Sequence, residues 1–501
     1  MTPIRSQLPG RAARPWPTDH SASRAGGVAR LGGAWVLAAA CWAVAAVAQA
    51  QSAAPAPKAP DSSLTWNGIT LYGIVDVGLQ YQTQGVPISD YFPAGTESII
   101  QKNSNGSVTA ITPNNLSQSR IGLSGNEPLV GDWAGVFRLE TFFNPQSGNL
   151  SDALKSQVLN NGRALTAQST NVDSSVAGQY FAGAAYAGFS SPTVGTFTFG
   201  RHVTLLADGV GKYDPLGASQ AFSLIGFSGT TAGGGDTEDR RLDQSVKYTA
   251  KYGAVHLGAL YQFSGANGST NTAAQVQLGV EGAGASVDAY YAKKYDAIAT
   301  APLSAAQVAG LATLCTTSVA PPANPNGALC FSPSNSLAAT ISDNETFSVM
   351  GSYSFGAPKV FAGYEHIEFA NPKTPLLQGS LTIGGYVLAA VNNTAYVNHK
   401  TLQVFWAGVK FAATPQLDLT ASFVGYKQSS FASGAKAGCS DSTNAACSGT
   451  FSSAGLVADY RFAKRFDAYL GTLWSGVDGG LANGYLNKGT LSTTTGIRFR
   501  F

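Results

Sequence analysis

The sequence predicts an all-β membrane barrel of sixteen antiparallel strands, with short turns at one end and long loops at the other. Three observations carry that prediction: an export segment at the N-terminus, repeated stretches of period-two hydrophobic alternation, and connections that are alternately tight and long. Composition agrees. Of 501 residues, 44% are hydrophobic and only 12% charged, with 58 glycines, 25 Phe, 20 Tyr and two Met, a balance too apolar for disorder and richer in strand formers than in helix formers. The length would allow three domains, but all-β barrels often exceed about 150 residues as one unit.

The first element is the export signal, residues 1–50. Arg5, Arg11, Arg14, Arg24 and Arg30 precede an uncharged apolar run from Ala34 to Ala48, and Ala48-Gln49-Ala50 supplies the small residues of a cleavage site. The run is shorter than the roughly 20 residues a spanning helix needs, which favours removal over anchoring. Without these fifty residues, 26 basic residues face 27 acidic ones. A neutral chain of this kind argues against nucleic acid as a partner.

Residues 51–65 read as a Pro/Ala linker, and the barrel domain as 66–501. No later stretch reaches 18 uncharged apolar residues, so no transmembrane helix is expected. Alternation begins at once. Leu71, Val75, Val77, Leu79 and Tyr81 share one face of the first strand, and Ile74, Asp76, Gly78 and Gln80 the other. Further along, Leu417, Leu419, Ala421 and Phe423 alternate with Asp418, Thr420 and Ser422. The chain ends with Leu491, Ile497, Phe499 and Phe501 alternating with Thr494, Arg498 and Arg500.

A soluble sandwich also alternates, so connection lengths must decide. Tight connections fall around Pro128 to Gly131, Pro192 to Gly195, Tyr252-Gly253, Gly282 to Gly284, Gly356 to Pro358, Thr414-Pro415 and Ala463-Lys464. Long polar segments lie between them, near 83–117, 144–179, 203–243, 265–272, 296–342, 371–400, 429–450 and 476–488. Seven turns and eight loops require sixteen strands. In lipid such a sheet must close, because open edges would leave N–H and C=O groups unsatisfied. Trp66, Tyr81, Trp133, Tyr248, Tyr252, Trp406, Tyr426, Tyr460 and Trp474 stand near strand ends and suit interfacial girdles.

Cys315, Cys330, Cys439 and Cys447 remain once Cys41 leaves with the signal. In an exported chain they read as two local disulfides; a metal site is the rival reading, but the spacings are not CxxC and no histidine accompanies them. The histidines at 20, 202, 256, 366 and 399 are isolated. His202 beside Arg201 could line a pore, and His366 near Glu365 and Glu368 could make a weak metal site. No nucleophile elbow, phosphate loop or zinc-protease helix is present, so no enzyme, cofactor or metal is expected.

Certain segments together resemble the general porin family of proteobacteria, in particular the trimeric β-proteobacterial type. They are Leu71-Tyr72-Gly73-Ile74-Val75-Asp76, Ser119-Arg120-Ile121-Gly122-Leu123-Ser124-Gly125, Phe137-Arg138-Leu139-Glu140-Thr141, Gly195-Thr196-Phe197-Thr198-Phe199-Gly200-Arg201, Gln244-Ser245-Val246-Lys247-Tyr248-Thr249 and Gly496-Ile497-Arg498-Phe499-Arg500-Phe501. The resemblance covers about 71–501. It implies a homotrimeric outer-membrane channel for ions and small hydrophilic solutes, set among lipid and lipopolysaccharide. The terminal Phe501 would be the signal read by the barrel-assembly machinery. It also implies that the third long loop, 203–243, folds inward to narrow the pore. Acids of that loop, Asp208, Asp214, Asp236, Glu238 and Asp239, would then face a basic wall of Arg120, Arg201, Arg240 and Arg241. Loop charges tied up in salt bridges are the competing reading. Asp76, Arg138, Glu140 and Lys247 are secondary lining candidates by alternation. A substrate-specific channel, or a barrel acting through its surface loops as an adhesin or enzyme, are the alternatives.

Overall fold

The computed structural model describes residues 64–91, 98–169, 175–223, 225, 240–265, 272–316, 331–381, 386–396, 398–431 and 448–501, with side chains omitted at 312–316. The expected export segment, most of the expected linker, Asp236, Glu238, Asp239, Cys330, Cys439 and Cys447 lie outside these residues. Cys315 falls in a helix where only the backbone is described.

Sixteen strands form one antiparallel ladder that closes on itself. They are β1 Ile69–Gln82, β2 in two pieces, Val108–Pro113 and Arg120–Pro128, β3 Ala134–Phe142, β4 Ala184–Ser191, β5 Gly195–Val203, β6 Arg241–Tyr252, β7 Val255–Gln262 and β8 Ala273–Gly282. The second half comprises β9 Ala285–Ala301, β10 Ser336–Ser354, β11 Pro358–Ala370, β12 Lys400–Ala412, β13 Leu417–Gln428, β14 Gly449–Arg461, β15 Phe466–Gly479 and β16 Gly489–Arg500. Closure runs from Arg500 opposite Ile74 to Ser492 opposite Gln82. All seven tight connections fall at one end, the periplasmic one. Among the described residues no helix is long and apolar enough to cross a membrane.

The break in β2 is built by Asp76. The upper piece of β2 pairs with Val77–Gln82 of β1 and the lower piece with Ile69–Ile74, leaving 114–119 to bulge between them. Asp76 is fully buried. One of its oxygens accepts the N–H groups of Leu116 (2.9 Å) and Ser117 (2.8 Å), and the other accepts the Tyr469 hydroxyl (2.5 Å). Alternation correctly turns Asp76 inward, but this buried fastener cannot serve as the expected lining residue.

Each strand presents an apolar outer face because lipid offers no hydrogen bonds, and a polar inner face. Leu71, Leu79 and Tyr81 are exposed on the outside, whereas Asp76, Gln80 and Gln82 are buried inside. Trp66, Tyr81, Trp133, Tyr252, Tyr460 and Trp474 are also exposed. Trp406 and Tyr426 depart from the girdle reading: both are buried within the barrel.

Two further departures concern strand ends. The segment 296–342 is not all loop: β9 continues to Ala301 and β10 starts at Ser336. These strand ends bury Ile298, Leu337, Ala339 and Ile341 against Leu154 and Val158 of helix α1 (Ala153–Val158) and against Leu388. Loop residues thus cover the strand ends and erase the polar-apolar alternation that would mark them in sequence. Likewise β15 runs to Gly479, past the expected loop start at 476.

The described part of the third long connection folds into the barrel. Its helix α2, Leu205–Tyr213, is capped by the Thr204 side chain, which accepts the Ala207 N–H. Leu205, Leu206, Val210 and Tyr213 are buried with Leu260, Tyr290, Met350 and Trp406, an apolar contact inside a barrel wall that is otherwise polar. Gly209 makes the approach possible, since a Cβ there would stand 2.4 Å from the Tyr290 hydroxyl. The same apolar cluster rises to Phe369, Tyr396 and Phe431. The inward loop and its neighbours therefore fill one side of the lumen.

Candidate functional site: the lumen wall and the inward loop

Helix α2 has one buried apolar face, so its polar residues meet the lumen. Asp208 and Lys212, one turn apart, stay 54% and 39% exposed as side chains. Asp208 receives the Lys247 ammonium at 2.5 Å, and Lys247 also donates to the Val203 carbonyl. Lys212 lies 3.4 Å from Asp288 and 3.9 Å from Glu281. Asp288 itself is buried and is bonded by His256, by Gln277 (3.0 Å) and by the Tyr290 hydroxyl (2.9 Å). These bonds hold the loop helix to the wall.

Across the barrel, on β1 to β3, Tyr72, Arg120, Arg138 and Glu140 converge. Arg138 donates to Glu140 (2.6 Å) and to the Tyr72 hydroxyl (2.8 Å), and that hydroxyl donates to Glu140 (3.0 Å). Arg120 approaches the same carboxylate at 3.8 Å. Glu140 is only 2% exposed, whereas Arg120 and Arg138 keep 30% and 35%. The cluster therefore shows the lumen a net positive, partly solvated surface. Tyr72 was missed in the sequence, although its parity with Asp76 would have turned it inward.

Arg201 and Asp214, by contrast, hold structure rather than face the pore. Arg201 is buried: its guanidinium bonds Asp243 (2.6 Å) and the carbonyls of Ser175 (2.5 Å) and Ala182 (2.9 and 3.2 Å). This is the salt-bridge alternative and not the pore wall. Asp214 caps the C-terminus of α2 and is buried, accepting the N–H groups of Leu216 (3.3 Å) and Ala218 (2.7 Å). Burial pushes its carboxyl up to about 6, against those bonds and the nearby Arg240. The Arg240 carbonyl accepts the Thr204 N–H and clasps the two ends of the loop, while the Arg241 guanidinium sits 4.5 Å over the Phe142 ring.

His202 is buried, bonded to Ser245 (2.8 Å) and stacked on Tyr186, so it does not meet the solvent of the lumen. His366 shares a face with Glu368, which bonds His399, while Glu365 points to the opposite face. Among the described residues no three His, Cys, Asp or Glu side chains converge on a metal position. Phe501 exchanges both backbone bonds with Gly73 (2.9 and 3.1 Å), and its ring covers that glycine.

The chain's similarities agree with this architecture. The sequence profile described as Gram-negative porin matches residues 34–478. An outer membrane porin protein of Bordetella pertussis is 27% identical over 197 residues, which are 39% of this chain and 43% of that protein. An anion-selective porin from Comamonas acidovorans has a similar structure, with a TM-score of 0.54 at 15% identity over 86% of this chain and 99% of that one. A loop L8 deletion mutant of OmpT, an outer membrane protein of Vibrio cholerae, gives 0.51 at 14% over the same shares. A closed sixteen-stranded barrel with an inward third loop, matched by that profile along most of its length, makes this chain a member of the Gram-negative porin family of the outer membrane.

Proposed function

We propose that the protein is a water-filled channel for passive diffusion of ions and small hydrophilic solutes, with a preference for anions, and that it carries out no covalent chemistry. The observation that carries this reading is the partly solvated pair Arg120 and Arg138 facing a loop helix whose acid, Asp208, is already neutralised by Lys247. Acids facing bases across a narrow aqueous gap set up a transverse field that orients dipolar solutes and penalises apolar ones. Here the bases are in excess, which raises the local anion concentration. The anion-selective porin of similar structure supports the same sign.

The barrel works as a homotrimer within lipid and lipopolysaccharide, and Phe501 is the end read by the assembly machinery. A trimer form is known for the structurally similar OmpT of Vibrio cholerae, at a TM-score of 0.50. A second reading, a substrate-specific channel, is favoured by the apolar cluster from Trp406 to Phe431, which confines the free lumen to one side.

Planar-bilayer conductance with a salt gradient tests both. Large stepwise openings with an anion-selective reversal potential are expected. Folded, inserted barrels without steps would refute the open channel, and small openings blocked by one solute class would favour the specific one.

A further inference from the structure

Lys359 and Lys410 stand directly opposite each other on β11 and β12. Both face inward. Lys359 shares its face with the buried Phe361 and Glu365, and Lys410 shares its face with Trp406 and with Gly408, against which Pro215 of the inward loop packs. Like charges directly opposite on neighbouring strands destabilise a sheet, and the inner faces of the flanking strands β10 and β13 carry uncharged Ser352, Thr420 and Ser422 beside them.

Acids cancel the charge only in part, although the charge of Lys410 bears on both Asp418 and Asp459. Lys410 lies 3.2 Å from Asp418, but Asp418 is shared with Arg461 at 3.5 Å. Among the described residues no carboxylate stands within ion-pair distance of Lys359, whose ammonium lies 4.9 Å over the Phe361 ring. Lys212, at the end of helix α2, is close enough for its charge to bear on Lys359. Both wall lysines lie within a few residues of the periplasmic turns, at Gly356 and after Ala412. The cluster is thus at the exit side of the lumen, on β11 and β12, whereas Arg120 and Arg138 stand on β2 and β3.

The geometry points to a binding station at this exit for a small dianion, such as hydrogen phosphate or a short dicarboxylate. Two ammoniums on adjacent strands, with Cα atoms about 5 Å apart, can each take one charge of a dianion, whereas a monovalent anion satisfies only one. The inference deepens the anion-channel reading and rests on it for access to the site.

Two readouts test it on the full-length folded protein. In chloride, added inorganic phosphate or succinate is expected to reduce single-channel current saturably, and acetate is not. Lys359→Gln removes one charge about 5 Å from the ligand, which in screened water weakens a dianion about fivefold; Lys359→Glu abolishes saturation. Phosphorus NMR of inorganic phosphate with the detergent-folded barrel reports binding without conduction, and there Lys359→Gln is expected to lose the line broadening. If the barrel binds phosphate through Lys359 but does not conduct, the channel reading fails and the station stands. Equal midpoints in wild type and Lys359→Gln, no saturation, or equal block by acetate would overturn the station. Folding is controlled by heat-modifiability, since relieving a like-charge pair leaves the variant unfolding at no lower temperature.

Discussion

Replacing Arg138 by Gln removes one lumen-facing cation while keeping a donor for Tyr72 and Glu140. Its guanidinium is 35% exposed, so a passing ion meets it largely through water. At about 5 Å in water, two unit charges interact by about 0.8 kcal/mol, and at 0.1 M salt, with a Debye length near 10 Å, roughly 0.5 kcal/mol survives. With 1.4 kcal/mol per tenfold, anion occupancy falls and cation occupancy rises by about 2.3-fold each, so the anion-to-cation permeability ratio drops about fivefold. The assay is the reversal potential across a planar bilayer in a salt gradient. Arg201→Ala provides the contrast. It strips a buried guanidinium from Asp243 and from two backbone carbonyls, which costs about 1–3 kcal/mol and lowers the unfolding temperature without moving the reversal potential. An unchanged reversal potential in Arg138→Gln, or a shift in a stably folded Arg201→Ala, would refute the assignment of pore and anchor.

Asp214 sets a pH dependence. Its carboxyl is raised from 3.8 to about 6 by burial, so the folded state holds the extra proton between those values. Its contribution therefore favours folding below about pH 4 and is lost as pH rises to 6, by up to about 3 kcal/mol. Asp214→Asn should flatten that part of the curve of thermal unfolding against pH, and an unchanged curve would disprove the burial effect. Gly73→Ala would place a Cβ 2.3 Å from the Phe501 ring and 2.8 Å from the Arg120 carbonyl; a loss of roughly 1–3 kcal/mol and a lower yield of heat-modifiable barrel are expected, whereas Val75→Ala should cost less. Cys315, Cys330, Cys439 and Cys447 should yield two intrachain disulfides, Cys315 with Cys330 and Cys439 with Cys447, by mass spectrometry of non-reduced peptides. Free thiols there would end that reading.

The fold was legible because lipid imposes a period of two on every spanning strand, and because turn and loop lengths separate the two ends of a barrel. Leu71 to Gln82 shows this: the residues that alternate in sequence alternate between lipid and interior in space. Where loops cover strand ends, as at Ile298 and Ile341, alternation fades and boundaries shift. The candidate site was legible only in part. Parity turned Asp76, Arg138 and Glu140 inward together, but parity cannot say what covers an inward side chain.

The inward third loop was implied only by the resemblance to the porin family; by itself the sequence determined the strand count and the closed sheet. Those properties depend on local pattern and on the absence of hydrogen-bonding partners in lipid. Tertiary structure alone decided that Arg201 and Asp214 are buried anchors while Arg138 and Asp208 meet water. It also brought Lys359 opposite Lys410 from strands separated by a long external loop. A side chain's charge is written in the chain, but its solvation and its partners depend on contacts between residues far apart in sequence, made only when the barrel closes around its inward loop.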